Sequence, residues 1–488
     1  MPSFDESAPV RGARDLSERD VAALHYAQQR LQGFLTVHGY ERVDVPMLER
    51  TDLYLRKLGS RVAARMFSVT DQRGERLSMR PEFTGSVIRS YIRSSGSLPL
   101  PVRWQYCGPV FRDDEAGDLD AARQFTQLGV ELIGAAGPKA DAELLAAACG
   151  GVDHLGLGPA HLIIGHAGLV PQLLDGLQLS ERVRMFLAGH LELLRQGLEG
   201  QQRLREGLEE LRSPQGASPT EPAAGVETEA RSNADLMAWL SSQGNAKPTG
   251  RRSTEDIVRR FTAKVQGADN PAHVERALGL VTALAGVQAA PELALARGRS
   301  IVQQYGLDPA PLNGLEAVLQ CLRAFDTSGA TISLDMGLTR ALGYYTGVVF
   351  EVFAGGSAQR PLGGGGRYDG LVRALGGDRD VPALGYAFTL ERVLEALGGV
   401  TPGMASPQAK TLVIVRGDAA LPQAVRFVED ERRAGRVCLL ELIDRSDEAR
   451  GIYCNEAGIT RLVTIDAKGS QTEQLLKGEA SYAPAGAS

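Results

Sequence analysis

The residues whose types and spacing point to chemistry are Glu82, Gln127, Glu131, Arg112, Arg340, Tyr345 and Tyr368. They lie in four polar segments, where core strands would be apolar. The first is RPEFT (80–84) and the second is GPVFR (108–112) with RQFTQLGVE (123–131). The third is RALGYYTG (340–347). The fourth is GGGGRYDG (363–370), continuing through Gly385-Tyr386-Ala387 to Glu391-Arg392. On a strand, Gln127, Gly129 and Glu131 share one face, because side chains alternate. A carboxylate there, with a glycine between, leaves room for a small cationic ligand. Glu82, Gln127 and Glu131 can hold an ammonium and an imidazole. Arg112 and Arg340 can grip a carboxylate through paired hydrogen bonds. Tyr345 and Tyr368 offer flat walls with hydroxyl handles. The set suits a polar amino acid.

Each feature also has an ordinary explanation. An Arg–Glu pair is commonly a structural ion pair. A glycine-rich stretch is usually a bend, and Tyr-Tyr suits any strand. The seven histidines show no metal-ligand spacing, and His166 reads as structural. It is the four segments in order that carry the argument.

The elements that must position these groups are legible in outline. Residues 17–38 carry Val21, Leu24, Ala27, Leu31 and Phe34 at helical spacing. Residues 41–49 read as a strand ended by Pro46, and 66–70 with 76–80 as a hairpin. A helix is expected directly after Pro81. Strands are expected at 102–111, 124–133, 330–335 and 345–354, and 161–170 reads as a strand running into a helix. The glycines at 360–370 read as a bend, and 384–397 as a strand leading into a helix. Residues 180–212 read as a helical face with Ser180 as N-cap. Residues 213–253, rich in Pro, Gly, Ser, Thr and Glu, read as a disordered insertion. A Pro/Gly stretch at 400–408 marks a boundary, and β-α-β-α-β follows from 411 to 466.

Of the 488 residues, 43% are hydrophobic and 23% charged, with net charge −6. That balance fits a globular protein and gives no basic domain of the kind that announces a nucleic-acid partner. Five scattered cysteines without a CxxC pair give no zinc or redox signature and suit a reducing cytoplasm. No apolar run is long enough to span a bilayer. A cytoplasmic location without membrane association is expected.

The ordered segments resemble the class II histidyl-tRNA synthetase family, which includes a paralogue, the regulatory subunit of ATP phosphoribosyltransferase. VRGARD (10–15) resembles the family's N-terminal motif, and GYERVDVPMLE (39–49) the motif 1 dimer segment. RWQYCGPVFR (103–112) with RQFTQLGVELIG (123–134) resembles motif 2. RALGYYTGVVFE (340–351) resembles the histidine-specific segment. GGGGRYDGL (363–371) and ALGYAFTLERV (383–393) resemble the approach to motif 3 and motif 3 itself. The resemblance implies an α+β fold, a class II antiparallel sheet flanked by helices. It implies a core from 1–156 and 312–400, a mainly helical insertion at 157–311, and a shortened anticodon-binding-like α/β domain at 406–488. By position, it assigns histidine binding to Glu82, Thr84, Arg112, Gln127, Glu131, Arg340, Tyr345 and Tyr368, and no metal site.

Two activities follow. A ligase would use Arg340 and Arg112 catalytically and Arg112 and Arg392 on the nucleotide, with ATP, Mg and tRNA(His). RPE (80–82) favours it. Four departures favour the regulator. The motif 2 loop, DDEAGDLDAA (113–122), holds five acids and no base, and would repel a polyphosphate by several kcal/mol. Ala341 and Gly343 replace the usual Gly and Asp, and Thr389 replaces a motif 3 glycine. Residues 406–488 carry 11 Lys+Arg against 12 Asp+Glu, a poor phosphate partner. IIGHAGLVPQLLDGLQLSE (163–181) is also similar to the regulator. The leading expectation is therefore a non-catalytic histidine-binding regulator without a cofactor. It would pair with a short-form ATP phosphoribosyltransferase catalytic subunit, as a homodimer or higher oligomer.

Overall fold

A computed structural model describes residues 8–55, 64–94, 98–113, 122–212, 269–340, 342–355, 360–398 and 409–476. The chain divides into two compact units, 1–399 and 400–488.

The first unit is built on a nine-stranded mixed sheet. Its strands are β1 (Glu41–Arg42), β5 (Val102–Phe111), β6 (Gln124–Ile133), β7 (His161–His166), β8 (Gln288–Ala289), β9 (Thr331–Asp335), β10 (Val348–Phe353), β11 (Gly363–Arg367) and β12 (Ala383–Thr389). Their order is β1-β5-β6-β12-β11-β10-β7-β9-β8. The six strands from β5 to β7 run antiparallel; β1 joins β5 and β9 joins β7 in parallel. A separate three-stranded sheet holds β2 (Leu48–Arg50), β3 (Ser68–Thr70) and β4 (Arg76–Met79).

Alternation assigns the two faces of the large sheet. Leu128, Val130 and Leu132 of β6, Tyr386 and Phe388 of β12, and Phe350 and Val352 of β10 point to one side. There they meet α1 (Glu18–Val37), whose Ser17 forms a reciprocal capping box with Asp20. The helices at Pro138–His154, Leu312–Leu322 and Leu390–Ala396 complete that layer. Burial on α1 centres on Ala27, Leu31 and Leu35, while Val21 is exposed. The other face of the sheet carries the candidate site.

Several elements depart from expectation. Residues 41–49 form no continuous strand. β1 is two residues long, Val43 N donates to Gln105 O, and the chain then crosses to the small sheet as β2. The helix after Pro81 starts at Thr84, because Glu82 caps it. The glycines at 363–366 are not a bend but a buried central strand. The packing around them excludes side chains: a Cβ on Gly363 or Gly365 would overlap the backbone of β12. The segment expected as a mainly helical insertion, 157–311, also contributes β7 and β8 to the main sheet, β7 pairing with β10 and β8 with β9. Residues 180–212 form three helices, 181–189, 191–194 and 197–212, with Gly197 at positive φ opening the third. Ser180 does cap the first. The disordered insertion expected at 213–253, the 400–408 boundary stretch, Ala341 and most of the acidic loop lie outside the described residues.

In the second unit, β13 (Lys410–Arg416), β14 (Val437–Leu440) and β15 (Ile459–Asp466) are parallel in the order β14-β13-β15. An antiparallel edge strand, β16 (Gln471–Leu475), was not anticipated, because its residues are all exposed and lack an apolar alternation. Helices at Leu421–Arg433 and Asp447–Glu456 connect the parallel strands. Among the described residues no helix is long and apolar enough to cross a membrane.

Candidate ligand site

The site is a trough whose floor is backbone. Register places Glu131 between Trp104 on β5 and Gly385 on β12, Gly129 between Tyr106 and Ala387, and Gln127 between Gly108 and Thr389. Cross-strand partners point the same way, so these residues share a face. Gly364 and Gly366 continue it on β11, and Val349 and Glu351 on β10. Glycines at 108, 129, 364, 366 and 385 leave the space above the sheet to side chains that reach in. A Cβ on Gly108 would press on the Arg80 guanidinium, on Gly364 on Arg340, and on Gly366 on Tyr345.

Glu131 is fully buried and holds three hydroxyls. Thr84 Oγ1 donates to its Oε1 at 2.7 Å and Tyr106 OH at 3.2 Å, while Tyr368 OH donates to Oε2. Burial nevertheless pushes its carboxyl up to about 8, against these hydrogen bonds, with the Glu82 charge adding to the rise. Glu82 stands at the N-terminus of α2 (Thr84–Ser94), where a carboxylate is favoured. It accepts from Thr84 N at 2.5 Å and Gly85 N at 2.9 Å. Its carboxyl is raised too, by burial first.

The cationic side is less enclosed. Arg112 Nε donates to Pro81 O at 2.7 Å, and its guanidinium lies 5.3 Å from the Phe125 ring centre. Burial lowers its hold on the proton, and nearby Glu82 opposes that. Arg340 Nη1 donates to Phe350 O at 3.0 Å and lies 3.9 Å from Glu351. Arg392 donates to Pro361 O at 2.9 Å; burial lowers its pKa, as do the charges of Arg360 and Arg340.

Tyr345 sits 6.4 Å from Tyr368, ring centre to ring centre, with Tyr344 between them at 4.9 and 5.5 Å. Burial pushes all three phenols up, so they remain neutral donors. Tyr368 is held from below. Its neighbour Arg367 pairs with Asp141 at 2.8 Å and with Asp369 at 2.9 Å, and Asp369 accepts from Ala383 N.

Glu82, Thr84, Glu131 and Tyr368 are joined by direct hydrogen bonds or one shared partner. Tyr345 and Arg340 close the same trough, and Arg112 approaches it from Glu82. Gln127 shares the floor with Glu131 but stands four residues along the strand, roughly 13 Å away. Sequence reasoning did not single out Tyr106, Tyr344, Glu351 or the Arg80–Phe83 pair. Tyr106 shares parity with Gly108, a signal that becomes useful only once the β5–β6 register is known. The arrangement offers buried acceptors and hydroxyls at one end and guanidinium groups at the other. Such a trough can orient a zwitterion bearing a further polar ring. Among the described residues no cluster of His, Cys, Asp and Glu could hold a metal.

A mixed sheet with an antiparallel centre, backed by helices on one face and carrying this trough on the other, with a small α/β unit following it in the chain, is the class II aminoacyl-tRNA synthetase fold. The histidyl-tRNA synthetase family model matches residues 12–198 and 233–393, and the chain belongs to that family. It is 27% identical over 460 residues to a histidine–tRNA ligase of Pyrobaculum islandicum, covering 94% of this chain and 91% of that one. Among solved structures, a histidine–tRNA ligase subunit of Alicyclobacillus acidocaldarius is 26% identical, with TM-score 0.51, over 82% of this chain and 98% of that one. An ATP phosphoribosyltransferase regulatory subunit/histidyl-tRNA synthetase from Bacillus halodurans shares the fold at 20% identity and TM-score 0.64, over 94% of this chain and 98% of that one.

Proposed function

We propose that this chain is a histidine-binding regulatory subunit of ATP phosphoribosyltransferase, acting at the first step of histidine biosynthesis. The observation that carries the reading is the composition of one sheet face. At one end Glu131 is ringed by Thr84, Tyr106 and Tyr368. At the other, Thr389 stands on the floor across from Gln127. The first arrangement suits an imidazole, whose ring nitrogens meet the Glu131 carboxyl group. Glu82 takes the α-ammonium, and Arg340 with Arg112 takes the carboxylate. Thr389 narrows the end where a nucleotide would have to approach the backbone closely.

Histidine would then report end-product level. It regulates the catalytic partner only if two assembly states bind it unequally, by about 1–3 kcal/mol. The partner would be a short-form catalytic subunit, joined to a homodimer or higher oligomer of this chain. The test mixes this chain with such a subunit and measures phosphoribosyl transfer with and without histidine. Activation by the chain and its loss on adding histidine are expected. An unchanged rate rejects the reading.

A second reading, a histidine–tRNA ligase using ATP and Mg on tRNA(His), is favoured by one feature. Arg112, Arg340 and Arg392 all approach one trough, as anionic-charge stabilisation requires. The full-length likeness to proteins named histidine–tRNA ligase supports it as well. Robust histidine-dependent ATP–pyrophosphate exchange by the purified chain would replace the regulator with this reading.

A further inference from the structure

Arg80 is 2% exposed, yet among the described residues no carboxylate lies within ion-pair distance of it. Its donors go instead to two main-chain carbonyls. Nη1 donates to Val45 O at 2.7 Å and Nε to Pro109 O at 2.8 Å. Its own amide donates to Met47 O at 2.8 Å, and its carbonyl accepts from Phe111 N at 3.0 Å. One residue thus ties the 45–47 segment to β5. Burying an arginine on main-chain carbonyls is costly, and burial lowers the proton affinity of Arg80 against the pull of the nearby Asp44 charge.

The flat face of that guanidinium has a use. It lies 3.8 Å from the centre of the Phe83 ring. Phe83 stacks on Tyr106 with centres 4.3 Å apart and planes 10° from parallel. Tyr106 OH then donates to Glu131 at 3.2 Å. Gly108 makes the stack possible, since a Cβ there would press on Arg80 at 2.6 Å and on Phe83 at 3.2 Å. A cation over an aromatic face, followed by a parallel ring, fixes the ring plane and so the direction of the last hydroxyl.

We propose that Arg80 is a positioning residue for Glu131, acting through the Phe83–Tyr106 stack and anchored on the Val45 carbonyl. Lysine cannot replace it, because an ammonium has no plane to lay on Phe83 while donating to two carbonyls. The proposal deepens the histidine-binding reading, on which only its affinity arm rests.

The test has two arms. The chain has two tryptophans. Trp104 stands directly across from Glu131, so in a Trp239→Phe background its fluorescence follows the Glu131 titration. Tyr106 donates to the charged form of Glu131, and loosening it raises the midpoint. Arg80→Lys is expected to move the midpoint up by about half a pH unit and to weaken histidine binding by about tenfold in calorimetry. In a Tyr106→Phe background Arg80→Lys should add nothing to either. Phe83→Leu should reproduce the effect, and Phe83→Tyr, which keeps the ring, should restore it. Phe83→Leu also serves as the test if Arg80→Lys does not fold. A midpoint unmoved in both variants, or shifts that add fully to that of Tyr106→Phe, overturns the proposal. A midpoint that moves in a chain that takes no histidine overturns the binding reading alone and upholds the positioning role.

Discussion

Gly385 faces Glu131 directly across the β6–β12 pair, and a methyl group on its α-carbon would overlap the Glu131 carboxylate. The carboxylate occupies space that only a glycine on the neighbouring strand leaves open. Gly385→Ala should therefore displace Glu131 from its three hydroxyls. Histidine affinity is expected to fall by tenfold or more, about 1.4 kcal/mol or above. Calorimetry checks this, and circular dichroism confirms that the sheet is kept. An unchanged affinity would place the ligand elsewhere.

Glu131 also makes stability depend on pH. Its carboxyl titrates near 8 in the folded chain, against an ordinary value of 4.5. Between those values the folded state binds more protons than the unfolded one, so stability falls as pH rises through that window. Unfolding of the wild-type chain and of Glu131→Gln should be compared at pH 5 and pH 8. The variant is expected to lose this part of the decline, because its amide does not ionise. Parallel pH profiles for the two chains would show that Glu131 is ionised throughout.

The Arg367–Asp141 pair is buried at both ends, with 8% of each side chain exposed. Arg367→Leu leaves Asp141 without its main partner and should cost about 3–5 kcal/mol in urea unfolding. Removing Asp141 as well should recover much of that cost, since replacing both charges is far milder than orphaning one. Equal losses in the single and double variants would show that the pair contributes through packing alone.

All the residues of the trough belong to the first compact unit, 1–399. A chain ending at residue 399 should therefore keep its histidine affinity within about twofold, a change smaller than that of removing one typical hydrogen bond. Calorimetry on the shortened chain tests this. Loss of binding in a shortened chain that remains folded would mean that the second unit contributes to the trough.

Sequence pattern reached most of the strands because their apolar residues alternate. β6 is an example, with Leu128, Val130 and Leu132 pointing to the core and Gln127, Gly129 and Glu131 to the trough. It reached α1 and the parallel part of the second unit for the same reason of periodicity. It missed β11, because four consecutive glycines carry no side chains to alternate and resemble a bend. It missed β16 because an exposed edge strand needs no apolar face.

The order and identity of Glu82, Glu131, Arg340 and Tyr368 were determined by the sequence itself, as was the family they resemble. Their convergence was decided by tertiary structure, since it depends on register across five strands and no single segment contains it. The same holds for Arg80, Phe83 and Tyr106. As a sequence they are an ordinary arginine and two aromatics, and only packing across Gly108 turns them into a stack that ends on a carboxylate. Local side-chain chemistry writes the inventory of a site, whereas the contacts that aim it are long-range and form only when strands distant in the chain pair.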